Sequence, residues 1–317
     1  MYIAQAFKNL HDWWRYLIGF IIILIVWQFI GMIPLGIAIG VKAFTTGEIP
    51  TEIPEMINIL GSNLFLFLML VSFAVGLVGV IFTAKILHKQ SLINLTTTRK
   101  KIDWNRFWFI FFVWGIVSSG FVLVDYYMSP EDYELNFQLQ PFLILCVIAI
   151  FLVPLQTSFE EYLFRGYLMQ GIGVMVKNKW LPLVITSVCF GAMHLANPEV
   201  DKLGYVIMVY YIGTGVFLGI LTLMDEGLEL SLGFHAANNL FTALLVTADW
   251  TAFQTHSILK DLSEPSEMGL TEIFLPVFVV FPLLLFILSK KYKWTDWNNK
   301  LFGKVQELSK KDYKILE

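Results

Sequence analysis

Apolar residues fall in blocks long enough to cross a bilayer, separated by shorter polar stretches. The blocks lie at about 16–41, 62–84, 107–124, 141–159, 181–197, 204–224, 230–247 and 272–289. A hydrocarbon layer of ~30 Å is spanned by a helix of about 20 residues. Eight membrane-spanning helices are therefore predicted, an even number that returns both termini to the same side. The first block is longer than a signal-peptide core and lacks a clear small-residue cleavage site, so it is read as a retained helix. No repeat, low-complexity tract or long linker divides the chain, and residues 1–317 are read as one membrane domain. Within it, 1–139 carries the first spans, 140–248 a polar-marked core, and 249–317 the last span with a basic tail.

Composition reinforces the pattern. The chain is 57% hydrophobic and 15% charged, with a mean hydropathy of +0.68, whereas a soluble domain carries about 25% charged residues. An all-α, polytopic transmembrane bundle follows, an integral multi-pass protein of the cell membrane if its source is prokaryotic. Nucleic-acid binding finds no support. Lys and Arg are distributed unevenly: one set of loops, at 1–15, 85–106, 165–179, 225–229 and 290–317, holds 19 of the 22, and the other set holds only Lys42, Lys202 and Lys260. Basic loops stay in the cytoplasm, which places both termini there. Trp13, Trp14, Trp104, Trp108, Trp180, Trp250 and Trp294 sit near span ends, where an indole suits the headgroup region. Cys146 and Cys189 are far apart in apolar runs and are read as packing residues, not as a disulfide or metal pair.

Polar residues inside the blocks carry the candidate chemistry, because a charge near the bilayer centre costs at least ~2.5 kcal/mol. The first group is Ser158-Phe159-Glu160-Glu161-Tyr162-Leu163-Phe164-Arg165. At ~100° per residue, Glu161 and Arg165 share a helix face, and Glu160 lies ~140° from Arg165. Arg165 is expected to pair with Glu161, which leaves Glu160 without an intrahelical cation in a poorly solvated place suited to a general base. Taken alone, the group reads equally well as a salt-bridged helix end at the membrane surface.

The second group is Phe190-Gly191-Ala192-Met193-His194, whose small residues let another helix approach. The third is Gly233-Phe234-His235-Ala236-Ala237-Asn238-Asn239. His235 and Asn239, four apart, face the same way and can both donate to one point, although Asn238 lies only ~60° off that face. A lone His or amide in a span is more often interhelical glue than a reacting group. Gly213, Gly215 and Gly219, the last two in a GxxxG pattern, are read as a close-packing seam. Together, one carboxylate, two imidazoles and an amide supply what amide hydrolysis needs, a base for water and donors for the oxyanion.

These motifs resemble those of the type II CAAX prenyl endopeptidases and their prokaryotic relatives, also called the CPBP or Abi family of intramembrane proteases. The family's Glu-Glu-x-x-x-Arg looks like Glu160, Glu161 and Arg165. Its Phe-x-x-x-His looks like Phe190 and His194, and its His-x-x-x-Asn like His235 and Asn239. The order matches, and the resemblance covers about 140–248. It implies an intramembrane endopeptidase in which Glu160 and His194 activate water while His235 and Asn239 form the oxyanion hole. The implied partners are a peptide or membrane-protein substrate and the lipid bilayer. No cofactor is assigned. A glutamate with two histidines would also suit a divalent metal such as zinc, but HExxH is absent and Asn239 is a poor zinc ligand, so a glutamate-activated water is the preferred reading. The competing readings are a proton-coupled transporter and a non-catalytic scaffold or bacteriocin-immunity protein.

Depth raises a difficulty. His194 would lie ~20 Å along its helix from Trp180, but His235 only ~7–8 Å beyond residue 230. Either residues 166–179 form a separate surface helix and the fifth span starts deeper, or the helices tilt around a tapered cavity.

Overall fold

The computed structural model describes residues 1–264 and 269–307. Eight principal helices follow the predicted blocks. Six are long and apolar enough to cross a membrane: α1 (Trp13–Thr46), α2 (Ser62–Leu87), α3 (Trp104–Met128), α4 (Leu139–Val176), α6 (Pro198–Asp225) and α8 (Leu270–Tyr292). Two are shorter, α5 (Trp180–Ala192) and α7 (Glu229–Leu245). The protein is an integral, multi-pass, all-α membrane bundle. The basic tail beyond residue 307 lies outside the described residues.

His194 follows the shorter helix α5 and His235 and Asn239 lie on α7, and the surroundings of α7 explain its length. Residues 229–237 of α7 are all buried, enclosed by α3, α4 and α6. A helix shielded by protein on every side needs no apolar face toward lipid. Glu229, its first residue, is wholly buried and bonded to Arg99 at 3.1 Å, so α7 begins already sunk inside the protein.

Helix α4 departs most from expectation. It does not end at 159 but runs 38 residues to Val176, putting Glu160 near its middle. Residues 166–176 are thus a continuation of the fourth span, not a separate surface helix, and 177–179 are the turn that follows. Pro154 removes one ladder donor, Thr157 Oγ1 donates back to the Val153 carbonyl at 3.2 Å, and wide π-helical turns occupy Tyr162–Leu168. Such widened turns shift side chains relative to a regular helix and recur beside functional groups. Arg165, counted above with a cytoplasmic loop, is fully buried within this helix. Removing it leaves 18 basic residues on that side against 3 on the other.

The connections separate onto opposite ends of the bundle as the alternation predicts. At the basic end, Leu10 N–H donates to the His88 carbonyl (3.0 Å), Leu228 to Thr96 (2.8 Å) and Val305 to Lys177 (2.9 Å). At the other end a three-stranded sheet, β1 (Tyr133–Leu135), β2 (Val246–Ala248) and β3 (Leu259–Asp261), has the order β1-β3-β2. Tyr133 pairs antiparallel with Asp261 and Val246 parallel with Leu259.

Helices α5 and α6 touch along the glycine seam: a Cβ on Gly215 would stand 2.8 Å from the Ser187 carbonyl oxygen, and one on Gly191 3.2 Å from the Ile212 nitrogen. Two expectations fail on the surface. Cys189 is exposed on α5 and Cys146 is half-buried, so they do not form core. Trp13, Trp14, Trp104, Trp108 and Trp180 are exposed as anchors should be, but Trp294 turns inward and donates to Asp225 at 3.2 Å, and the Trp250 Nε1 is buried.

Candidate active site

Antiparallel helices α4 and α7 face each other with matched four-residue steps. Gln156 and Glu160 on α4 stand opposite Asn239 and His235 on α7. Gln156 Nε2 donates to Glu160 Oε1 at 2.7 Å, and its Oε1 accepts from Asn239 Nδ2 at 3.1 Å. One turn along, His235 Nδ1 lies 2.9 Å from Glu161 Oε1 and its Nε2 3.5 Å from Glu160 Oε2. An ionised carboxylate only accepts, so Nδ1 carries the proton shared with Glu161.

Glu161 also binds Arg165 Nη1 at 2.9 Å, with both side chains fully buried. Arg165 Nη2 donates to the Gly215 carbonyl at 3.1 Å, and its guanidinium lies 4.3 Å from the Phe190 ring centroid. The adjacent glutamates therefore have different surroundings. Glu161 is held by Arg165 and His235. Glu160 receives one amide N–H, and its Oε2 has no hydrogen-bond partner.

His194 lies just past the end of α5. Its Nδ1 is 2.9 Å from the Phe190 carbonyl oxygen, which makes Nδ1 the donor and leaves Nε2 the free nitrogen. The Tyr211 ring stacks on the imidazole with centroids 4.2 Å apart and planes 21° from parallel.

A cavity of about 240 Å³ joins these groups. Glu160, His194, Asn239 and Gln156 line it together with Tyr211 and Glu199. His235 is buried behind Glu160 and not on the cavity wall, which differs from the expectation that it and Asn239 aim at one point. Asn238 is turned away and accepts from Trp114 Nε1 at 3.0 Å, which decides between the two amides that spacing left open. The depth difficulty disappears because α7 starts inside the protein, α5 is short, and Glu160 sits mid-helix.

Gln156, Tyr211 and Glu199 are among the wall residues that had escaped the sequence reading. Gln156 offered a signal, since it precedes Glu160 by four positions and so shares its helix face. Tyr211 and Glu199 offered none. Among the described residues, no three His, Cys, Asp or Glu side chains cluster as a metal-binding set.

Comparison with known proteins agrees with the motifs. A family model described as type II CAAX prenyl endopeptidase Rce1-like matches residues 139–241, the stretch that contains every motif residue from Glu160 to Asn239. The uncharacterized protein YyaK of Bacillus subtilis (strain 168) is 30% identical over 236 residues, which are 74% of this chain and 78% of that protein. No solved structure matches. Shared motifs, their convergence on one buried site and the extent of the alignment together place this chain in the Rce1-like family of type II CAAX prenyl endopeptidases.

Proposed function

We propose that the protein is an intramembrane endopeptidase in which Glu160 activates water. The observation that carries this reading is that Glu160 on α4, His194 just past α5 and Asn239 on α7 line one cavity. Glu160 keeps a carboxylate oxygen free of hydrogen-bond partners, and its side chain lines the space where a water molecule would otherwise lack a base. In the reaction, Glu160 takes a proton from water as the oxygen attacks the peptide carbonyl carbon, with His194 Nε2 orienting that water. The oxyanion accepts a hydrogen bond from Asn239 Nδ2, which keeps one N–H beyond its bond to Gln156, while His235, buried behind Glu160, positions the two glutamates. As the C–N bond breaks, Glu160 returns the proton to the departing amine. Pre-aimed donors of this kind are each worth about 10² to 10³ in rate.

Cleavage of hydrophobic peptides by purified protein in lipid nanodiscs tests the proposal. Glu160→Gln is expected to abolish turnover while the protein still folds. Chelator is expected to leave the wild-type rate unchanged, so loss of activity on chelation, restored by zinc, would replace the glutamate-activated water. A scaffold or immunity role would instead leave the cellular phenotype intact in Glu160→Gln.

A further inference from the structure

The cavity sits toward one end of the bundle, and that end is not the basic one. Its outer wall is built by Asn197, which caps α6, by Glu199 in the first turn of α6, and by Ala252 and Phe253 in the connection from α7 to α8. These belong to the end that carries the three-stranded sheet. Among the described residues, no part of the wall comes from the basic connections. That opposite end is sealed: Arg99 binds Asp225 at 2.9 Å and Glu229 at 3.1 Å over the buried start of α7, and backbone bonds interlock the loops around it. Among the described residues, 15 Lys and Arg side chains belong to the sealed end and 3 to the other, so the positive-inside rule makes the sealed end cytoplasmic.

Glu199 gives the cavity its second chemical character. Its Oε1 accepts the Ala252 N–H at 3.0 Å, while Oε2 is buried without a hydrogen-bond partner. No Lys or Arg among the described residues forms an ion pair with it. Glu160 contributes a second carboxylate to the same space, and the remaining wall includes the rings of Trp27, Phe73 and Phe253. Buried carboxylate oxygens without partners are costly, and ring faces attract cations, so a positively charged guest recovers both.

We infer that the cavity is entered from the extracytoplasmic side and receives a cationic stretch of peptide presented there, with Glu199 as the group that reads the charge. The inference rests on the protease reading only in treating that peptide as a substrate. It points to exported peptides or external tails of membrane proteins, and away from cytoplasmic C-termini.

Two measurements decide it. In a background with Cys146→Ser and Cys189→Ser, Asp249→Cys and Lys101→Cys are treated with a membrane-impermeant maleimide on intact cells. Asp249→Cys is expected to label at once and Lys101→Cys only after permeabilisation; the reverse pattern overturns the assignment. Binding is then measured in nanodiscs on Glu160→Gln protein, with two hydrophobic peptides differing by one lysine against norleucine. The lysine peptide is expected to bind about tenfold tighter. Adding Glu199→Gln, whose amide oxygen can still accept the Ala252 N–H, is expected to bring the two within about twofold. Equal binding before that change, or a preference that survives it, overturns the role of Glu199. Wild-type cleavage of the same peptides reports separately: a lysine preference without any cleavage would retire the protease reading and leave the binding site standing.

Discussion

The carboxamide of Gln156 stands 2.7 Å from Glu160 and 3.1 Å from Asn239, so one side chain fixes both the proposed base and the proposed oxyanion donor. Replacement by leucine removes both bonds at once without adding charge. Gln156→Leu is expected to lower kcat about 10²-fold with KM changed little, because it misplaces groups that act in the transition state. Steady-state kinetics on a single peptide checks this, and a change confined to KM would assign Gln156 to substrate binding.

The two adjacent glutamates are expected to separate stability from chemistry. Arg165→Leu strands the Glu161 carboxylate in a fully buried site, and losing one member of such a pair costs about 3–5 kcal/mol. Adding Glu161→Gln to Arg165→Leu is expected to restore part of that loss, since the orphaned charge is gone. Glu160→Gln alone is expected to leave thermal stability within about 1 kcal/mol, since its amide oxygen keeps the bond to Gln156 and only the 3.5 Å approach to His235 Nε2 is altered besides. Thermal unfolding of the three variants beside the unaltered protein in one detergent measures all of this. Equal losses for Glu160→Gln and Arg165→Leu would contradict the division of roles.

Much of this arrangement was legible in the chain. Long apolar runs mark α1 to α4, α6 and α8 because lipid enforces them, and the facing of Glu161 toward Arg165 follows from helix geometry alone. Three short motifs in order were enough for the family. Tertiary relationships were not legible. Nothing local tells that Tyr211 stacks on His194, or that Glu199 joins the cavity, because each depends on where α6 begins relative to α5. The end of α4 was misread because charge inside an apolar run usually marks a membrane surface. Here Glu161, Arg165 and His235 neutralise one another inside the bundle, so the helix continues past them.

The glycine seam makes a graded prediction. A Cβ at Gly215 meets backbone, 2.8 Å from the Ser187 carbonyl oxygen, whereas one at Gly219 meets the Leu183 Cδ1. Backbone cannot yield without separating α5 from α6, but a leucine terminus can rotate. Gly215→Ala is expected to destabilise by about 1–3 kcal/mol and Gly219→Ala by clearly less. Gly215 also accepts from Arg165 through its carbonyl, so its displacement should lower activity too. Thermal unfolding and cleavage of the two variants side by side decide the order.

Acid sensitivity is expected from His88, which follows the end of α2 at the basic face. The ring is fully buried, packs 4.3 Å from Tyr16 by centroids, and places Nδ1 2.7 Å from the Leu10 carbonyl oxygen and Nε2 2.9 Å from the Tyr167 hydroxyl. Burial pushes its pKa below the ordinary histidine value by penalising the charged ring. The unfolded chain therefore takes up a proton at a higher pH than the folded one. Stability is full above about pH 6.5, the unfolded value, and falls as pH drops below it, because only the unfolded state gains from protonation. Unfolding temperature is expected to fall by a few degrees between pH 7.5 and about 5.5. His88→Gln, which can still donate to the Leu10 carbonyl but cannot titrate, is expected to start lower and to show a flatter pH dependence. An unchanged slope in that variant would move the acid sensitivity to another group.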